Sequence, residues 1–158
     1  MDFYFFDTSA FVKNYIDEIG TNWVRNIFQK ASSSLIYVVS ISEVEAVSAF
    51  SRRLKGGNLT KIQADLDIQQ VQADFKNEFR IIEITPNLLA NAVNLAKTHT
   101  LRGYDAVQLS AAIEIYAELD LLTNSSSQKS FIFVSADSDL NTAAEAEGLT
   151  VENPNNYP

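Results

Sequence analysis

Short apolar runs alternate with amphipathic segments along this chain. The runs are continuous in their hydrophobicity, as is typical of strands that are covered on both faces. They predict strands at residues 3–6, 35–39, 79–85, 131–135 and 149–151. Apolar positions at helical spacing predict helices near residue 10 and over about 22–30, 40–54, 60–77, 86–96, 103–119 and 139–147. Strands that alternate with helices in this way predict a mostly parallel sheet with helices on both faces.

Local signals mark several element ends. Pro86 fits the first position of a helix, and Gly148 is typical of the residue that ends one. The polar segment 123–130 predicts a loop, and the tail 152–158 is expected to be irregular. Because there is no internal repeat and no linker, a chain of 158 residues with 46% hydrophobic content is expected to form one domain over residues 1–158.

The composition excludes several kinds of site. The chain has no cysteine, which excludes disulfides and zinc–thiolate sites and favours a reducing cytoplasm. A single histidine, His99, argues against a histidine-rich metal site or a catalytic triad. No segment has the pattern of a signal peptide or a membrane span, so we expect no membrane partner. Any catalysis is therefore expected to depend on carboxylates.

Charge gives a mixed indication about nucleic acid. The net charge of −8 argues against broad attraction to RNA, DNA or anionic membranes. Basic residues nevertheless cluster locally, at Arg52, Arg53, Lys55 and Lys61. On pattern alone, a solvated helix face laced with ion pairs explains this cluster better than a binding surface does.

Four acids lie where predicted strands pass into helices. Asp7 follows the first strand, and Asp137 follows the fourth by one residue. Glu45 lies about one turn into the helix after the second strand, and Asp105 lies in the first turn of its helix. Ligands of parallel α/β sheets collect beyond the carboxyl ends of the strands, so these acids are expected to meet at one edge. Converging carboxylates repel one another unless a hard cation lies between them. The pattern therefore predicts a site for Mg²⁺ or Mn²⁺.

Each acid also has a simpler explanation. Asp7 could only cap a helix, Glu45 could face solvent, and Asp105 could only complement its helix dipole. Asp137 or its neighbour Asp139 could be the cap of the last helix. Their conjunction is more informative than any single member. Glu43 lies on nearly the opposite side of the helix from Glu45, so only one of the two is expected in the site, and we prefer Glu45.

Several other acid-based sites are excluded by residue type. An aspartyl-nucleophile phosphatase needs a second Asp where Ser9 stands, and a metal-dependent adhesion site needs a hydroxyl where Phe11 stands. A phosphoacceptor receiver domain needs an Asp where the third strand ends in Thr85 and Pro86. No glycine-rich phosphate loop or dinucleotide motif is present. A carboxylate-only nuclease site is the sharpest remaining interpretation.

The ordered motifs resemble the PIN domain, and within it the VapC-type toxins of bacterial toxin–antitoxin pairs. The resemblance covers most of the chain. It is carried by FFDTSAFVKNY, VVSISEVEAVSAFSRR, YDAVQLSAA and SADSDLNTAAEAEGLTVENP. It implies a three-layer α/β/α sandwich with a mostly parallel central sheet.

The resemblance also implies roles for particular residues. It places Asp7, Glu45, Asp105 and Asp137 at the family's metal-binding and catalytic positions. Supporting positions fall on Thr8, Ser135 and Asp139, and candidate phosphate contacts on Arg52 and Arg53. The implied activity is an endoribonuclease that uses Mg²⁺ or Mn²⁺ to hydrolyse RNA phosphodiesters, without a covalent intermediate.

The implied partners are an RNA substrate, a cognate antitoxin protein and a second copy of the chain in a homodimer. Two alternatives stay open. One is a PIN-fold binding module without turnover, and the other is a PIN nuclease that acts in RNA processing or on DNA without an antitoxin. The completeness of the acid set favours an enzyme over the binding module.

Overall fold

The computed structural model describes residues 1–30, 33–122 and 130–158. The predicted loop at 123–130 therefore lies, except for its last residue, outside the described residues. Within these ranges five parallel strands form one sheet in the order β3-β2-β1-β4-β5. The strands are β1 (Asp2–Phe6), β2 (Ser34–Val39), β3 (Arg80–Ile82), β4 (Phe131–Val134) and β5 (Thr150–Glu152). Since β1 is central, the chain first builds outward through β2 and β3 and then returns to add β4 and β5 on the other side.

The helices follow the predicted order. They are α1 (Thr8–Phe11), α2 (Thr21–Phe28), α3 (Ile41–Lys55), α4 (Lys61–Asn77), α5 (Pro86–His99), α6 (Gly103–Leu122) and α7 (Ser138–Ala146). Short 3-10 helices cover Val12–Asn14 and Pro154–Asn156. Pro86 begins α5, and Gly148, with φ +87°, follows the end of α7, both as predicted. No helix in the described ranges has the length and apolar content of a membrane span.

Two apolar layers cover the two faces of the sheet. Phe6 packs with residues of α1 to α4, including Phe11 and Phe50. Its neighbour Phe5 points the other way and packs with residues of α5 to α7, including Leu109. Phe5 also stacks on Phe133 of β4, with ring centroids 5.5 Å apart. The predicted three-layer α/β/α sandwich is confirmed.

The third strand and the C-terminal tail differ from their predictions. The third strand, predicted over 79–85, covers only Arg80–Ile82. Its first residue is lost because the Phe79 amide donates to the Asp74 carbonyl at the end of α4, at 3.1 Å, instead of to a strand. The tail is also more ordered than predicted, because the Asn153 side chain accepts from the Asn155 amide and caps the second 3-10 helix.

The spacing of apolar residues misplaces several side chains on α3 and α5. Val44 is 64% exposed and Val93 is 68% exposed, although both lie at positions that helical spacing assigns to the core. Leu89 is also exposed. On α3 the buried first-turn residue is instead Ser42. Part of the apolar face of these helices therefore remains on the protein surface.

The C-terminal tail is fixed against the start of α2. Gly20 has φ +88°, and a Cβ atom there would lie 2.4 Å from the carbonyl oxygen of Pro154. Trp23 and Tyr157 stack with centroids 4.8 Å apart and planes only 4° from parallel. This tail follows β5, so these contacts tie the edge of the sheet to the helix layer.

Candidate active site

The four predicted acids line a single cleft at the carboxyl edge of the sheet. The cleft has a volume of about 490 Å³ and includes Asp7, Glu45, Asp105 and Asp137 in its lining. Two of them come from the ends of β1 and β4, which are adjacent strands. The chain changes its direction of growth between these strands, and ligands of α/β proteins collect at such points.

Asp7 is the most buried of the four, at 5% exposure. It is the N-cap of α1, and its Oδ2 accepts from the amide and the hydroxyl of Ser9 and from the hydroxyl of Ser135, the last at 3.1 Å. Burial raises the pKa of Asp7, while the hydrogen bonds from Ser9 and Ser135 lower it in part. The helix-cap explanation for Asp7 is correct, and the same residue also lines the cleft.

Glu45 projects from the second turn of α3. Its Oε1 accepts from the Thr8 hydroxyl at 3.1 Å and from the Gln108 amide at 3.2 Å. Burial raises the pKa of Glu45, and the negative charge of Asp7 raises it further. Glu43 is not part of the cleft lining, which agrees with the preference for Glu45.

Asp105 lies in the first turn of α6. Burial, followed by the charges of Asp7 and Asp137, raises the pKa of Asp105 to about 6, against the opposing charge of Arg102. Carboxylates from three separate elements are thus electrostatically coupled across the cleft. Such coupling is the self-repulsion expected of converging acids.

Asp137 is the N-cap of α7. Its Oδ1 accepts from the amides of Asp139 and Leu140 at 2.9 and 3.0 Å, and its own amide donates to the hydroxyl of Ser135 at 3.1 Å. Asp139 is exposed and does not line the cleft. Of the two acids considered for this position, only Asp137 therefore faces the other three.

Hydroxyl groups link the strand ends that carry the acids. Thr8 donates to Glu45 and Ser135 donates to Asp7, at two of the three supporting positions that the resemblance implies. Sequence reasoning missed Ser9, whose hydroxyl accepts from the Ala136 amide at 3.0 Å and so joins the end of β1 to the residues after β4. The available signal was the position of Ser9, two residues after Asp7 and in the first turn of the helix that Asp7 caps.

Gln108 was also missed. It is one turn beyond Asp105 on α6, and its amide nitrogen lies 2.8 Å from Ser42 Oγ and 3.2 Å from both Thr8 Oγ1 and Glu45 Oε1. A polar residue three positions after an acid, within an otherwise apolar or small helix segment, was the signal that could have revealed it.

The arginines divide between the cleft and the surface around it. Arg52 lines the cleft and donates to Ser48 at 2.9 Å, on the same helix. Arg53 instead forms an ion pair with Glu18 at 2.8 Å. Arg102, which the sequence reasoning did not single out, lies at the mouth of the cleft beside Tyr104, which is 59% exposed. The predicted pair is therefore split, and a second cation stands near the acids.

The donor set fits a hard cation in its chemistry. The cleft offers carboxylate oxygens from four elements, and oxygen ligands are what Mg²⁺ and Mn²⁺ prefer. In the described ranges, no three acidic or histidine side chains stand close enough together to hold one ion as they are placed. This separation is compatible with Mg²⁺, which proteins commonly hold through one or two carboxylates, with water and substrate oxygens as the other ligands.

Comparison with known proteins identifies the family. A PIN-domain family model matches residues 4–146. Ribonuclease VapC45 and Ribonuclease VapC49, from two strains of Mycobacterium tuberculosis (CDC 1551 / Oshkosh and H37Rv), are each 31% identical to this chain over 115 residues. In both cases the match covers 73% of this chain and 78% of the relative.

Solved structures show the same fold at low identity. PAE2754 from Pyrobaculum aerophilum has a TM-score of 0.62 at 15% identity and covers 95% of this chain, with 89% of its own length matched. VapBC2 from Rickettsia felis, crystallised with a DNA fragment from its promoter, has a TM-score of 0.61 at 16% identity, and the match covers 96% of this chain and 98% of the VapBC2 chain. FitAcB from Neisseria gonorrhoeae has a TM-score of 0.61 at 15% identity, and the match covers 96% of this chain and 97% of the FitAcB chain. The sheet order, the cleft and these matches lead to one conclusion: the chain belongs to the PIN-domain family, among the VapC ribonucleases.

Proposed function

We propose that this VapC-type endoribonuclease, the toxin of a toxin–antitoxin module, hydrolyses RNA phosphodiesters with the help of Mg²⁺ or Mn²⁺. The observation that carries the metal dependence is the convergence of Asp7, Glu45, Asp105 and Asp137 on one cleft. Their mutual repulsion leaves the cleft strongly favourable for a divalent cation. The relatives named Ribonuclease VapC45 and Ribonuclease VapC49 support the RNA substrate.

The acids have distinct tasks in this proposal. When bound, a divalent ion supplies an activated water and neutralises the charge that develops on the phosphate. Asp7, fixed by Ser9 and Ser135, would hold the cation, and Glu45 and Asp105 line the same cleft and would balance its charge. The cap position of Asp137 keeps one of its oxygens bound to backbone amides at the start of α7.

Two arginines are available for the phosphate backbone. Arg52 on α3 and Arg102 ahead of α6 line the cleft, and neither forms an ion pair with another of the described residues within 4.0 Å. Guanidinium groups bind phosphate oxygens in a fixed geometry. We therefore propose Arg52 and Arg102 as phosphate contacts. The proposal leaves Arg53 with Glu18.

The decisive experiment is cleavage of total cellular RNA with Mg²⁺ or Mn²⁺. We expect the wild type to cut and both Asp7→Asn and Asp105→Asn to lose at least ~100-fold in rate, as expected when charge stabilisation is removed. Asp17→Asn, an exposed acid paired with Arg25, is the matched control and should cut like the wild type. Cutting that persists in both cleft variants, or in EDTA, would show that the metal–carboxylate mechanism is wrong.

The same assay separates the alternative functions. A binding module without turnover would retain RNA without cutting it in any metal. A nuclease for DNA would cut single- or double-stranded DNA faster than RNA under the same conditions. Metal-dependent cutting of RNA alone would leave only the choice between a toxin and an RNA-processing enzyme. A small reading frame next to the gene, whose co-expression relieves growth arrest caused by this chain, would identify the toxin.

We propose two protein partners. The VapBC2 neighbour supports an antitoxin, and an antitoxin side chain carrying positive charge would suit this acidic cleft. The exposed apolar side chains of Val44, Leu89, Val93 and Tyr104 support a homodimer. Leu89, Val93 and Tyr104 line one apolar groove, Tyr104 and Val44 line the adjoining cleft, and contiguous exposed apolar surface marks interaction sites. Light scattering of wild type against Val93→Asp should give a dimer and a monomer respectively.

We further propose that residues 1–158 act as one domain in the cytoplasm. The single sheet, which pairs strands from both ends of the chain, supports one folding unit. The lack of cysteine supports the reducing compartment. Limited proteolysis that yields two stable fragments would contradict the single domain.

A further inference from the structure

Gln108 is a buried polar residue that core packing does not explain. It is 1% exposed and lies on α6 among small and apolar neighbours such as Ala111 and Leu109. Its amide nitrogen points instead to a cluster of side-chain oxygens on two other elements, Ser42 and Glu45 of α3 and Thr8 of α1. One side chain thus connects the helix of Asp105 to the helix of Glu45.

The orientation of the Gln108 amide follows from the charge of its neighbour. The nitrogen lies 3.2 Å from Glu45 Oε1, and the reversed amide would place a second acceptor against this carboxylate. In the orientation found, Gln108 Oε1 is buried and has no hydrogen-bond partner among the described residues. Buried polar atoms are nearly always satisfied, so an amide that leaves one unsatisfied is expected to serve another purpose.

Both donors to Glu45 reach the same oxygen. Thr8 and Gln108 converge on Oε1, at 3.1 and 3.2 Å. Glu45 Oε2 is engaged by neither of them and is the oxygen left for the cleft. Two hydrogen bonds to one carboxylate oxygen fix the rotation of the whole group.

We propose that Gln108 is a positioning residue for the metal site: it holds Glu45 in the orientation in which Oε2 can bind the cation. The inference rests on the proposed function, because it assigns Glu45 to the metal. Gln108 touches neither cation nor substrate in this role. It acts through Glu45. Ser42, whose Oγ lies 2.8 Å from the Gln108 amide nitrogen, holds that nitrogen in place.

The competing explanation is that Gln108 only satisfies the buried hydroxyl of Ser42 and so stabilises the packing of α3 against α6. The two explanations differ in what removal of the amide changes. Loss of a structural contact lowers the melting temperature without metal and leaves the affinity for metal unchanged. Loss of a positioning residue weakens metal binding, whether or not the metal-free melting temperature also changes.

The test is Gln108→Met, which keeps the length of the side chain and removes the amide. Gln70→Met is the matched control, since Gln70 donates to Asp74 at 2.8 Å on the exposed side of α4. Three quantities are measured for each full-length variant: the metal-free melting temperature, the dissociation constant for Mn²⁺ by titration calorimetry, and kcat and KM on RNA over a range of Mn²⁺ concentrations.

We expect Gln108→Met to bind Mn²⁺ about 10- to 100-fold more weakly than the wild type, as is typical when a hydrogen-bond partner of a metal ligand is removed. Its kcat falls at limiting Mn²⁺ and recovers at saturating Mn²⁺, while KM for RNA stays within twofold. Gln70→Met matches the wild type in metal binding. Recovery by excess metal is the result that a purely structural role does not produce.

The outcomes are distinguishable. An unchanged Mn²⁺ dissociation constant in Gln108→Met, with a lowered melting temperature, overturns the positioning role and leaves the proposed function intact. A wild type that binds no Mn²⁺ overturns the proposed function itself. If Gln108→Met does not melt cooperatively, Gln108→Leu takes its place, and a Mn²⁺ affinity equal to that of the wild type in that variant overturns the proposal.

Discussion

Replacing Asp105 by Asn should stabilise the metal-free protein while it disables metal binding. The folded state raises the pKa of Asp105 from 3.8 to about 6, first through burial and then through the charges of Asp7 and Asp137. A raised pKa of an acid means that its ionised form is less favourable in the folded than in the unfolded chain. Asn keeps the shape of the side chain and carries no charge, so this cost disappears.

The magnitude follows from the pKa of Asp105. At pH 7 the difference between the folded and unfolded pKa corresponds to about 3 kcal/mol of unfolding free energy if none of it is screened. The side chain is partly solvent-exposed, so water screens part of this energy, and we take about half of it, ~1.5 kcal/mol. For a domain of this size, that gain raises the melting temperature by roughly 3–6 °C. About half of the gain should remain at pH 5, and it vanishes only below the unfolded pKa, where Asp105 is protonated in both states.

The assay is thermal unfolding of wild type and Asp105→Asn at pH 7 and pH 5, with EDTA and with Mn²⁺. Asp139→Asn is the control, because it removes an exposed charge from the first turn of α7 and should lower the melting temperature slightly. Mn²⁺ at 100 times its dissociation constant should stabilise the wild type by about 2.7 kcal/mol and the Asp105→Asn variant by much less. A metal-free Asp105→Asn protein that melts at or below the wild-type temperature at pH 7 refutes the argument from self-repulsion.

Three further predictions concern the substrate, the pH profile and the tail. Arg52→Ala should lower kcat/KM on RNA by about 10- to 100-fold, because it removes a charge-assisted hydrogen bond to a phosphate, whereas Arg53→Ala should keep a kcat/KM near that of the wild type. Equal losses for the two variants in a gel-based cleavage assay would contradict the assignment of Arg52 to the phosphate. Mn²⁺ affinity by calorimetry should fall below about pH 6, where Asp105 protonates; a flat profile from pH 5 to 8 would argue against its role. Gly20→Ala should lower the free energy of unfolding in urea by more than ~2 kcal/mol, because backbone strain combines with the collision between the new Cβ and Pro154. Gly57→Ala, with φ +77° and open space around it, should lower it by only about 1 kcal/mol, and equal losses would exclude the collision.

Local chemistry explains which parts of the fold were predictable. Thr60 and Thr85 accept from amides three residues ahead, so the starts of α4 and α5 could be read from adjacent residues. The start of the third strand was misplaced because the Asp74 carbonyl captures the Phe79 amide. A competing acceptor of this kind has no signature in a hydrophobic run.

The same distinction applies to the candidate site. Each acid follows a strand or begins a helix, and a parallel sheet places such positions at one edge, so their convergence follows from the order of elements. The Ser42–Gln108 contact joins residues 66 positions apart, and its geometry depends on how α3 and α6 pack. Exposure of Val44 is likewise a tertiary result, because α3 turns Ala46 and Phe50, rather than Val44, toward the apolar layer that it shares with α1, α2 and α4.

The hydrogen bonds around the acids resolve a conflict inherent in a buried metal site. A carboxylate withdrawn from water needs donors, yet a ligand oxygen must remain available for the cation. The side-chain donors to Glu45 converge on Oε1, the amides at the start of α7 converge on Oδ1 of Asp137, and Ser9 and Ser135 converge on Oδ2 of Asp7. These donors therefore engage a single oxygen of each group. Asp105 has a backbone contact with Arg102, and burial with the charges of Asp7 and Asp137 raises its pKa to about 6, so a bound cation would favour its charged form.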